Sequence, residues 1–187
     1  MGPMALLDDI LAHNTKFVAE KQYVPYITDR FPDKKLVIIT CMDTRLLELL
    51  PKAMNINQGE AKIIKVAGAV VSHPFGSVMR SILVAVYELG ATEIAVVGHH
   101  GCGMTALSGD ALLAKAVKRG VAEGTIDLLR SAGVELDRWL VGFESEEAAV
   151  RQTVTTIKKH PLLPKDVAVH GLVIDPTTGK LEVVSRG

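Results

Sequence analysis

The chain has 187 residues, 48% hydrophobic and 22% charged, which suits one domain of ordinary size and is too apolar for wholesale disorder. Lysine plus arginine and aspartate plus glutamate number 21 each, a balance that points to neither nucleic acid nor an anionic membrane as partner. No apolar run approaches the ~20 residues of a membrane span. The first residues lack the basic and apolar regions of a signal peptide, so a cytoplasmic protein is expected.

In chain order, Leu6, Leu7, Ile10, Leu11, Phe17 and Val18 predict an amphipathic helix over 6–19. Residues 23–34, with Pro25 and Pro32, read as a connecting loop. A buried strand follows over 35–40, where Leu36-Val37-Ile38-Ile39 is continuously apolar. Residues 46–54 predict a short helix interrupted or started near Pro51, and 61–66 a second strand. A long helix is expected over 77–89 with Gly90 as its stop. The third strand covers 93–98, so strand, helix and strand form a parallel βαβ unit. Helices are predicted over 104–113 and 121–131, and a strand over 138–141. Another helix runs over 144–160, opened by Ser145 with acids in its first turn. Strands over 166–174 and 180–184, joined by Asp175-Pro-Thr-Thr-Gly179, complete a hairpin. The expectation is one α/β domain over 1–187 with a mostly parallel sheet flanked by helices: a helix and arm over 1–34, then the core over 35–187.

Two of the strand ends carry chemistry. The first delivers Cys41, then Asp43 and Arg45. The third delivers His99 and, three residues on, Cys102. Open α/β sheets build their sites outside the carboxyl ends of strands. If these strands are neighbours, Cys41, His99 and Cys102 converge. Two thiolates and an imidazole suit zinc, and three protein ligands leave a fourth position open. With only two cysteines in a reducing compartment, thiols or metal ligands are favoured over a disulfide. A helix beginning at Gly103 would favour the Cys102 thiolate. Alternation in an extended segment would put Cys41, Asp43 and Arg45 on one side. Asp43 can then either bind the metal as a fourth ligand or accept a hydrogen bond from water there, and Arg45 can hold it back.

Cys41-x-Asp43-x-Arg45, followed past a glycine-rich turn and a long helix by His99-x-x-Cys102-Gly103, resembles the β-class carbonic anhydrases. The overall length and residues 35–104 resemble the short, minimal form of that class. The resemblance implies one Zn2+ per chain on Cys41, His99 and Cys102, with Asp43 and Arg45 as a catalytic dyad. It also implies homodimers, often paired into tetramers, with sites near the interface. The activity implied is reversible hydration of carbon dioxide to bicarbonate and a proton by a hydroxide on the zinc. Val66, Ala67 and Gly68 are candidates for the wall of the substrate pocket, and Val66 stands where the family usually has Asn. His73 and His100 are candidate proton relays.

Each feature also has a plainer reading. The cysteines alone could be buried free thiols, Asp43 and Arg45 a cap and a surface ion pair, and the glycines around His99 a phosphate-binding turn. The glutamates of 144–147 read as a solvated helix start. Two other functions share the same residues: a zinc site acting on carbonyl sulfide or carbon disulfide, and a non-catalytic zinc scaffold closed by Asp43.

Overall fold

The structure, a computed structural model, describes residues 3–187. They form two compact units that meet between Arg30 and Phe31 in the sequence. In the first unit, α1 (Pro3–Ala19) is followed by one 3-10 turn at Val24–Tyr26, inside the stretch expected to be loop. Leu6, Leu7, Ile10, Leu11 and Val18 of α1 are exposed.

The second unit is built on a five-stranded sheet. Its elements are β1 (Leu36–Cys41), α2 (Leu46–Ala53), β2 (Ala61–Val66), α3 (Ser77–Tyr87) and β3 (Glu93–His99), then α4 (Gly109–Lys118), α5 (Glu123–Ser131) and α6 (Leu136–Leu140), and last α7 (Glu146–Lys158), β4 (Ala168–Ile174) and β5 (Leu181–Ser185). The strand order is β2-β1-β3-β4-β5. The first three pairings are parallel and β4–β5 is antiparallel, as the predicted hairpin requires. β1 and β3 lie inside the sheet and are buried on both faces, which is why they are apolar runs without alternation.

On one face Val37, Ile39, Ile94 and Val96 pack with Met79 and Ile82 of α3 and with Val150, Val154 and Ile157 of α7. On the other, Ile38, Ala95 and Val97 pack with Leu46 and Leu50 of α2. α7 comes very close to the sheet: a Cβ at Gly98 would stand 2.8 Å from Val150 Cγ2. From β1 the chain moves to β2 on one side and afterwards to β3 on the other. The crevice at the carboxyl ends of β1 and β3 is therefore the topological switch point of the sheet.

Three expectations are corrected. Residues 138–141 are not a strand: Leu136–Leu140 is one turn of helix with only Leu136 buried. A short apolar run such as Trp139-Leu-Val141 does not distinguish the two by periodicity. Residues 104–113 are not one helix. A 3-10 turn covers Gly103–Ala106, the chain then breaks, and α4 starts afresh behind Ser108, whose hydroxyl accepts from the Ala111 N–H at 3.4 Å. Finally, α2 begins at Leu46 and runs through Pro51. Among the described residues no helix is long and apolar enough to cross a membrane.

Candidate metal centre

Cys41 closes β1 and His99 closes β3. The parallel register sets Thr40 against Val97, and the buried Thr40 hydroxyl also donates to the Val97 carbonyl at 3.0 Å. This lock leaves Cys41 and His99 at the same end of neighbouring strands. Gly101, at φ +63, turns the chain back so that Cys102 joins them. The two sulfurs lie 3.9 Å apart, and Cys41 Sγ, Cys102 Sγ and a ring nitrogen of His99 are all within 4.8 Å of one another. All three residues are buried.

This donor set fits a metal ion. Two sulfurs held at tetrahedral zinc distances stand about 3.8 Å apart, close to the separation found. His99 Nδ1 lies 3.0 Å from the His100 carbonyl, an acceptor that fixes the proton on Nδ1 and leaves Nε2 as the bare nitrogen. His99 Nε2 is buried without a hydrogen-bond partner. A buried polar atom left so is costly unless something binds it. Both cysteines are free thiols.

Burial pushes the Cys102 thiol up to about 11, with the neighbouring Cys41 adding to the effect and the Met104 N–H opposing it. The expected thiolate-favouring helix start is thus corrected. Cys102 precedes only a four-residue 3-10 turn, and desolvation outweighs it.

Asp43 and Arg45 flank the cluster, but not in extended chain. Residues 44–45 turn into α2, and Arg45 has helical φ and ψ of −64° and −22°. The side chains meet because the Arg45 N–H folds onto Asp43 Oδ1 at 2.9 Å. The guanidinium then grips both oxygens, Nε to Oδ1 at 3.0 Å and Nη2 to Oδ2 at 2.8 Å, and Nη2 reaches the Gly101 carbonyl at 3.4 Å. That grip holds the Asp43 carboxyl far below the usual carboxylate range. Asp43 Oδ2 lies 3.7 Å from His99 Nε2, so the ionised carboxylate stands at the edge of the donor cluster.

Of the proposed pocket wall, Val66 pairs with Cys41 across the sheet, and its carbonyl accepts the Met42 N–H at 3.0 Å. Ala67 is exposed and Gly68 buried. Gly68 takes φ +66, and a Cβ there would meet Phe143 Cε1 at 2.6 Å and Met104 Cγ at 3.1 Å. Phe143 and Met104 pack on the cluster that holds Cys41 and Cys102, a role nothing in their own neighbourhoods announced. His73 Nδ1 accepts from the Phe75 N–H at 3.0 Å, and His100 Nε2 lies 3.8 Å from Glu182. The acids of 144–147 are not all a solvated helix start. Glu146 is partly buried, and its Oε1 accepts the Cys102 N–H at 3.3 Å.

The sequence profile described as carbonic anhydrase matches residues 36–181. The Bacillus subtilis protein YvdA is 61% identical over 187 residues, covering 100% of this chain and 95% of that one. β-Carbonic anhydrase 1 of Mycobacterium tuberculosis is 30% identical over 183 residues, 97% of this chain and 99% of that one. Among solved structures, β-carbonic anhydrase isoform I of Trichomonas vaginalis superposes with a TM-score of 0.85 at 33% identity, covering 100% of both chains. Sequence, fold and the buried Cys-His-Cys cluster agree: the chain belongs to the carbonic anhydrase family of enzymes, in its β class.

Proposed function

We propose that this chain hydrates carbon dioxide reversibly to bicarbonate and a proton, with one zinc ion held by Cys41 Sγ, His99 Nε2 and Cys102 Sγ. The observation that carries this reading is a buried set of three soft donors, one of them a bare imidazole nitrogen, next to a carboxylate already engaged elsewhere. Zinc, when bound, supplies a Lewis acid that makes hydroxide available near neutrality. Asp43 accepts a proton in a hydrogen bond and so aims the attacking oxygen's lone pair. Arg45 keeps Asp43 ionised and holds it off the donor cluster, which supports an open site over a scaffold closed by Asp43. Gly68, Met104 and Phe143 offer apolar surface suited to a small, uncharged substrate, whereas the Val66 side chain packs with the cluster on the α3 and α7 face of the sheet.

A homodimer in the cytoplasm is part of the same proposal. The exposed leucines of α1 supply apolar surface for a partner, and two buried free thiols suit a reducing compartment. The direct test is stopped-flow hydration of carbon dioxide by zinc-loaded protein, run beside hydrolysis of carbon disulfide. A zinc-dependent hydration rate supports the proposal. Carbon disulfide turnover without hydration refutes it in favour of the other substrate, and neither activity refutes both. Light scattering checks the dimer.

A further inference from the structure

Two of the three donors are carried by strands. Cys41 is paired with Val66 and His99 with Ile174, so the sheet ladder fixes both backbones. Cys102 has no strand partner, since it follows the left-handed Gly101 and precedes a 3-10 turn. Its backbone is nevertheless fully engaged. The carbonyl accepts the Thr105 N–H at 3.1 Å and the Thr105 hydroxyl at 2.8 Å, and the N–H goes to Glu146 Oε1 at 3.3 Å. The first two bonds are internal to the turn. Of these three backbone bonds only the third leaves the turn, reaching α7, while the sulfur itself lies 3.9 Å from Cys41 Sγ of β1.

Glu146 is suited to that task. It is the first residue of α7, the helix that packs against β3 and β4 through Val150. The chain just before it also grips the same loop: the Phe143 N–H donates to the Met104 carbonyl at 3.2 Å, and the Gly142 N–H to the Leu107 carbonyl at 2.9 Å. A charged acceptor makes a hydrogen bond roughly twice as strong as a neutral one. Yet a carboxylate beside a sulfur that must ionise is electrostatically unfavourable. Its presence there is best accounted for by geometry.

We propose that Glu146 is a positioning residue for the metal centre: its carboxylate takes the place of the missing strand partner of Cys102 and holds that sulfur where it can share an ion with Cys41 and His99. This rests on the reading that these three residues hold zinc. Residues that orient metal ligands commonly change affinity ten- to hundredfold when removed.

The test uses the full-length protein, stripped of metal. Wild type and the variants Glu146→Ala, Glu146→Gln, Glu146→Asp and Glu147→Ala are titrated with zinc against a chromophoric chelator. They are also titrated with cobalt(II), following its sulfur charge-transfer and d–d bands. Glu146→Ala is expected to bind zinc about ten- to hundredfold more weakly, with altered cobalt bands. Glu146→Gln keeps an acceptor at the same reach and stays within about threefold of wild type. Glu146→Asp keeps the charge but withdraws the acceptor by one methylene, and weakens binding about tenfold. Glu147→Ala, in the same helical turn, leaves affinity and far-UV circular dichroism unchanged. Wild-type affinity and spectra in Glu146→Ala overturn the proposal, as does a glutamine variant as weak as the alanine one. If Glu146→Ala fails to fold, the Gln and Asp variants decide by the same measure. A wild-type protein that takes up no zinc overturns the underlying metal reading as well.

Discussion

Cys41 Sγ and Cys102 Sγ stand 3.9 Å apart although 61 residues separate them along the chain. The register of β1 on β3 makes this meeting possible. Sliding one strand by a single residue would turn every side chain to the opposite face, taking the first sulfur away from the second. The separation thus reports the packing of the whole sheet.

Replacing Cys41 or Cys102 with Ser, or His99 with Asn, is expected to drop zinc content below about a tenth of an ion per chain, because each change leaves two donors of three. Elemental analysis of the purified variants beside wild type checks this. A full complement of zinc in any one of them would remove that residue from the ligand set.

Uptake of zinc by metal-free protein is expected to release at least one proton per ion near neutral pH. The Cys102 thiol, pushed up to about 11 by its burial, is protonated there and must ionise to bind. Calorimetry in buffers of different ionisation enthalpy counts the protons. Affinity should weaken as pH falls, since protons compete for the sulfur.

Arg45→Ala should lower kcat/KM for hydration by about a hundredfold, through loss of the grip on both Asp43 oxygens. Arg45→Lys should fall between that and wild type, because an ammonium cannot bridge the two oxygens as the guanidinium does. The same pair sets a pH expectation. The folded-state pKa of Asp43 is depressed, so the stability it contributes is complete above the ordinary carboxylate range and is lost only as pH falls through its lowered value. The Asp43 carboxyl resonance should not move between about pH 9 and about pH 5; a titration inside that window would break the assigned pairing.

Hydration should climb from about pH 6 to about pH 9. Two thiolates cancel the charge of a divalent ion, which then acidifies water less than it would among three neutral imidazoles. Initial rates in buffers of constant ionic strength measure the trend, and a flat profile would speak against the two-thiolate ligand set.

Gly68→Ala should cost about 1–3 kcal/mol of stability. The position combines φ +66 with Phe143 Cε1 only 2.6 Å from where a Cβ would lie. Urea unfolding of the metal-free variant gives the difference without a contribution from ion binding.

Most of the fold was legible because its signals are local. The unbroken apolar runs of β1 and β3 announce strands buried on both faces, and Ser145 with the acids after it announces the start of α7. The donor cluster was legible because Cys41 and His99 each end such a run, and Cys102 is within reach of the second. What stayed hidden depends on contacts between distant segments. Glu146 looks like any acid in a first helical turn until α7 is seated on the sheet, 44 residues beyond the sulfur it serves. Phe143 and Met104 are ordinary apolar residues until the chain returns to pair them. At 138–141 a short apolar run does not distinguish strand from helix by periodicity, and residues 138–140 close a five-residue helix in which Leu136 alone is buried.

The bond from the Gly142 N–H to the Leu107 carbonyl closes the chain on itself at the foot of α4, α5 and α6. Everything between those two residues is a handle fastened at both ends to one point. Such a handle can be lengthened, trimmed or exchanged over evolutionary time while the sulfur beneath it stays in register. Divergence among kindred enzymes should accordingly concentrate in 108–141, and a transplanted segment of different length should still leave a working catalyst.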